Sequence, residues 1–124
     1  MDVVDTVVRH LRDAGFDDVY PNQLPSGVGE GIVVRLAASS VRAFYMDGSM
    51  VEEVTYQAIC RMRSGAESMR IASSLIGRLS DIPIAFKKAA IISHSPSMHP
   101  QQLQVSEAGY YETMVQFSAE LMTR

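Results

Sequence analysis

Ser93, His94 and Ser95 set two hydroxyls beside an imidazole, the residue types of a nucleophile and its base. Neighbours along a strand point to opposite faces, so adjacent residues there form no serine–imidazole hydrogen bond. No strand–elbow–helix pattern surrounds them to expose a nucleophile. His10, His94 and His99 have no spacing that puts two of them together on one element, and a proline separates the last two. They read as polar surface or loop residues rather than metal ligands. Cys60 is the single cysteine, which excludes an intrachain disulfide and a cysteine-built zinc site. It falls on the apolar side of an alternating segment and reads as a small buried hydrophobe, with Arg61 and Arg63 pointing away. Gly27-Val28-Gly29-Glu30-Gly31 invites a phosphate-cradle reading, but a cradle needs a helix immediately behind the glycines. Here a strand follows, so the segment reads as a flexible connection. Lys87-Lys88 and the arginines at 61, 63, 70 and 78 lack interleaved aromatics and read as solvated faces. No acid, base and nucleophile converge. The expectation is a protein without enzyme activity, cofactor or bound metal.

Composition bounds the rest. The chain has 124 residues, enough for a single domain over 1–124 that buries a core without staples. A formal net charge of −3 gives no electrostatic footprint for nucleic acid. No apolar run approaches membrane-spanning length, so no membrane partner is expected. The composition fits a soluble intracellular domain.

The elements follow from periodicity. Val4, Val7, Val8, Leu11 and Ala14 lie at helical spacing, with Asp2 as N-cap and Gly15 as C′ residue. Val19-Tyr20 suggests a short strand, and Ile32 to Leu36 a longer one. From 50 to 63, Val54, Tyr56, Ala58, Cys60 and Met62 alternate with polar residues, and Ile59 interrupts the polar side. Ser64 and Glu67 form a capping box for a helix over 64–80, lined by Met69, Ala72, Leu75, Ile76 and Leu79. Ile82-Pro83 should end it. A short strand over 89–95, a loop bracketed by Pro96 and Pro100, and a final alternating strand over 110–122 complete the chain. Grouped strands and helices predict an α+β fold: a mostly antiparallel sheet with two helices packed on one face.

Asp47-Gly48 marks a hairpin turn that needs positive φ. Phe44, Tyr45, Met46 and Met50 give this hairpin more apolar surface than a solvated one requires. Two readings stand: these side chains fold over the domain's own core, or they seat against another protein. Met114, on the polar side of its strand, is another methionine suited to adaptable contacts.

The order of elements and several segments resemble the minor capsid or tail terminator proteins of long-tailed bacteriophages and their prophages. The resemblance runs over nearly the whole chain. It includes the opening helix, Val19-Tyr20-Pro21 with Leu24-Pro25, and Ile32-Val33-Val34-Arg35-Leu36. It continues through the strand from Thr55 to Arg63, Ser95-Pro96, and Glu107-Ala108-Gly109-Tyr110-Tyr111-Glu112. It implies a structural virion protein: a ring, commonly a hexamer, that caps the tail tube and joins it to the head–neck complex. The implied partners are further copies of the chain, the tail-tube protein and a head–neck connector. The implied location is the virion, reached through assembly in the host cytoplasm. The alternative is a small non-catalytic α+β ligand-binding or regulatory module with a pocket between helices and sheet.

Overall fold

The computed structural model describes residues 3–81, 89–105 and 109–123. In chain order the elements are α1 (Val3–Asp13), β1 (Val19–Pro21), β2 (Gly31–Phe44), β3 (Met50–Met62), α2 (Gly65–Asp81), β4 (Ala89–Val105) and β5 (Tyr111–Thr123). The strands form one sheet in the order β1-β2-β3-β5-β4. β1 runs parallel to β2, and the other pairings are antiparallel. This is the α+β class that the periodicity predicts.

One face of the sheet carries the core. Register puts Val54, Tyr56, Ala58 and Cys60 of β3 beside Ala119, Phe117, Val115 and Thr113 of β5. α1 lays Val3, Val4, Val7, Val8 and Leu11 on that face, and α2 adds Ala72, Leu75 and Leu79, in a single buried cluster. Apolar side chains at i, i+3, i+4 and i+7 produce such stripes, and removing them from water stabilises the docking.

α1 ends as its sequence requires. Gly15 takes φ 104°, Phe16 N–H donates to Leu11 C=O at 3.0 Å, and Gly15 N–H donates to Arg12 C=O at 3.1 Å. That is the left-handed glycine closure of a helix. At α2, Ser64 Oγ accepts from Glu67 N–H at 3.3 Å. Only this half of the expected capping box is seen, because the Glu67 carboxylate turns to Arg70 instead. The helix's buried stripe includes Ser68, while Met69 and Ile76 are half-buried. The expected cap at Asp2 and stop at Ile82-Pro83 lie outside the described residues.

The segment after residue 95 departs from expectation. It is not a loop: β4 continues through Pro96 and Pro100 to Val105. Among the described residues β4 is an edge strand, bonded on one side only, and an edge tolerates proline where the missing N–H would face outward. Register shifts along its pairing with β5 absorb the irregularity.

Among the described residues, the other sheet face carries no helix. Hydrogen bonds cross four strands there, from Arg35 Nε to Gln57 Oε1 (2.9 Å), Gln57 Nε2 to Gln116 Oε1 (3.0 Å), and Gln116 Nε2 to Ser97 Oγ (3.1 Å). Beside this row lie Val33, Ile59 and Met114, in register. Ile59 is covered as its sequence position suggests. Met114 is buried too, which corrects its reading as a contact residue.

Candidate protein-interaction surface

The hairpin between β2 and β3 is built at its tip by a short loop. Tyr45 N–H donates to Ser49 C=O at 2.9 Å, and Gly48 N–H donates to Tyr45 C=O at 3.1 Å. Gly48 takes φ 90°; Asp47 does not have positive φ. The loop is therefore three residues, Met46-Asp47-Gly48, with one left-handed position that favours glycine. Asp47 Oδ1 accepts from Ser49 N–H (2.9 Å) and from Ser49 Oγ–H (2.6 Å), and Ser49 is buried. These bonds hold the tip in one shape.

On that tip the apolar side chains face water. Phe44 is 72% exposed, Tyr45 50% and Met46 fully. Met50 is half-buried at the start of β3. Of the two readings of this hairpin, the three residues from Phe44 to Met46 do not fold over the chain's own core. Leu36 and Val41, further down the arm, are also exposed. Their register partners are Tyr56 and Glu52, which puts them on the helix-bearing side of the sheet. A register shift between Leu36 and Ala38 interrupts the strand's alternation between them. Sequence reasoning missed this pair, because in an alternating strand they look like core. Nothing local records that the helices stop short of them. Arg42 ties the arm across the strands to Glu53 by an ion pair.

The other candidate residues lie elsewhere. His94 is neither a surface nor a loop residue. It is half-buried in β4, its ring stacked on Phe117 at 5.1 Å and on Tyr56 at 5.8 Å between centroids. Burial keeps the Tyr56 phenol protonated, and its hydroxyl shares a hydrogen bond with His94 Nε2 at 2.5 Å. Burial and then the nearby His10 hold the His94 pKa below its ordinary value. Ser93 and Ser95 are exposed, and His94 is committed to the tyrosine, so these residues make no serine–imidazole pair. Cys60 is buried, its thiol pushed up to about 12 by desolvation, which leaves it unreactive near neutral pH. Arg61 and Arg63 do point away from it. Their guanidinium carbons lie 4.6 and 4.7 Å from the Tyr110 ring centroid, and Arg63 Nη2 donates to Tyr110 Oη at 2.8 Å. Gly29 sits under that phenol, where an added Cβ would meet Tyr110 Oη at 2.2 Å. The glycine run thus serves packing at Gly29. Lys87-Lys88 lies outside the described residues.

A shallow hollow lies between the end of α1 and α2, with Phe16, Asp17, Asp18 and Arg70 on its walls. Arg70 is engaged by Glu67, so the hollow offers no converging set of free polar groups. Among the described residues no three His, Cys, Asp or Glu side chains cluster as metal ligands, and no helix is long and apolar enough to cross a membrane.

The architecture has a counterpart among solved structures. A chain in the virion of a native gene transfer agent particle shares the fold, with a TM-score of 0.68 over 97% of this chain and 94% of that one. Identity between the two is 17%, so the likeness is one of fold. No protein-family model and no curated protein sequence matches the chain.

Proposed function

We propose that this chain is a non-enzymatic structural subunit of a phage-like particle, a single tail-terminator-like domain that acts as a ring on the end of the tail tube and meets the head–neck complex. The observation that carries the reading is the hairpin tip. A turn fixed by four hydrogen bonds holds Phe44, Tyr45 and Met46 in water, away from the core. A solvated hairpin has no use for such side chains, whereas a protein contact uses aromatic anchors worth about 2 kcal/mol or more each when buried centrally. The fold shared with a virion chain of a gene transfer agent particle supports the setting. Tail-tube protein and head–neck connector are the partners of this reading, and the virion is its location.

The test replaces Tyr45 and Met46 together by serine. Both side chains are exposed, so unfolding free energy should stay within about 0.5 kcal/mol of the parent. Capping of reconstituted tail tubes should be lost, leaving tubes of uncontrolled length in electron micrographs. A double variant that is stable and caps normally overturns the hairpin as the contact.

A further inference from the structure

Two arginines share one tyrosine on the sheet face away from the helices. The guanidinium carbons of Arg61 and Arg63 stand 4.6 and 4.7 Å from the Tyr110 ring centroid. Among the described residues neither guanidinium forms an ion pair. Glu112 is the register partner of Arg61, yet the two make no salt bridge. Glu30 accepts from the Arg63 backbone N–H and not from its guanidinium. Only Nε of Arg61 is enclosed, and it has no hydrogen-bond partner, so the terminal nitrogens are the ones open to a ligand. Leaving a buried donor unmatched is costly, and the cluster is incomplete as it stands. Stacking on an aromatic ring holds a guanidinium in place while its edge N–H groups stay available for a carboxylate.

Carboxylates that could complete it lie on the other side of the same chain. Asp13, Asp17 and Asp18 fall where α1 gives way to β1, and all three are exposed. Among the described residues none of them forms an ion pair. The cations beside them are taken: Arg12 donates to Val19 C=O, and Arg70 pairs with Glu67. Asp17 and Asp18 wall the hollow between α1 and α2, on the helix-bearing side of the sheet. The arginines face the opposite side, so one chain cannot join its own two patches. Both patches lie at the same end of the sheet, because Asp18 C=O accepts from Ile32 N–H and neighbouring Gly31 pairs with Arg61.

We propose that the Arg61–Tyr110–Arg63 cluster docks the exposed Asp17-Asp18 corner of a second copy of this chain. The inference deepens the ring reading and rests on it for closure. Unpaired charges of opposite sign on opposite sides of one chain are why a second copy is the occupant. An arginine fork meets a carboxylate in two-point contact, which fixes the angle of the joint as well as its partner. A copy that gives its corner to one neighbour keeps its arginines for another. The contact is therefore heterologous, and it closes by rotation.

A zero-length cross-link tests it. Arg63→Lys keeps the exposed charge and supplies an amine that a carbodiimide couples to a carboxylate in contact with it. Lys87 and Lys88 are the only native lysines, and both are replaced in a full-length K87R/K88R background. The expected result for K87R/K88R/R63K is a ladder of linked species extending beyond the dimer. It should be absent from K87R/K88R alone and lost when D17N/D18N is added to the triple variant. Residues 17, 18 and 63 are exposed, so these changes should leave the melting temperature nearly unchanged. A ladder that survives D17N/D18N overturns the proposal. So does a product that stops at the dimer, which means a two-fold joint. The absence of a ladder both at the highest soluble concentration and on capped tubes overturns it as well. A ladder with uncapped tubes keeps the pairing and removes the tail role; capping without a ladder does the reverse.

Discussion

His94 illustrates how little a residue's type says without its surroundings. Its partners come from three other elements: Tyr56 of β3, Phe117 of β5 and, at longer range, His10 of α1. Nothing near position 94 in the sequence announces them. The pairing has a pH consequence. The folded pKa of His94 lies below its ordinary value of 6.5, so the native state favours the neutral ring. Below that pH the unfolded chain binds a proton that the folded chain resists. Stability is then fully present above about pH 6.5 and is lost as pH falls through the lower folded value. Thermal melts of the parent at pH 7.5 and pH 5 should show a drop in Tm that is smaller in His94→Gln. An equal drop in both proteins would assign the acid sensitivity to other groups.

At the scale of elements, most of the chain was legible because period and punctuation agreed. The α1 stripe with its Gly15 closure, the alternation of β3 and β5, and the Ser64 cap each combine a repeat with a stop signal. β4 was legible only to residue 95, because Pro96 and Pro100 carry a local signal for loop. Edge position overrides that signal, and edge position is a property of the whole sheet. Ser68 was missed for a related reason. A serine within an apolar stripe looks like a flaw, yet its Oγ–H reaches the Cys60 carbonyl at 2.8 Å, and the Thr113 hydroxyl lies 2.7 Å away. These bonds join α2 to both central strands. Ser68→Ala should cost about 1–3 kcal/mol, since it strips partners from buried polar groups. Urea titration checks this: the midpoint should fall with an unchanged slope, and an unchanged midpoint would make the bonds incidental.

For the whole molecule, the candidate surface was half legible. Asp47-Gly48 and the residues around it marked a hairpin with surplus apolar surface. Whether that surface was buried depended on how far the helices reach across the sheet, which no local pattern encodes. Leu36 and Val41 were hidden by the same gap. A charge placed on the exposed arm of the hairpin separates folding from association. Val41 is 52% exposed and paired with Glu52, which can accept a cation. Val41→Lys should leave the melting temperature of the monomer nearly unchanged. Capping of reconstituted tail tubes should be weakened, with a broader spread of tube lengths in electron micrographs. Tubes of unchanged length would place the contact elsewhere.

The two prolines of β4 have a consequence for the protein before it meets any partner. An edge strand can be lengthened into an aggregate by any stray chain that finds its row of free backbone groups. At Pro96 and Pro100 there is no hydrogen to offer, so a stray strand cannot zip along the second half of β4. The same residues that look like a loop in the sequence keep that edge from seeding fibrils.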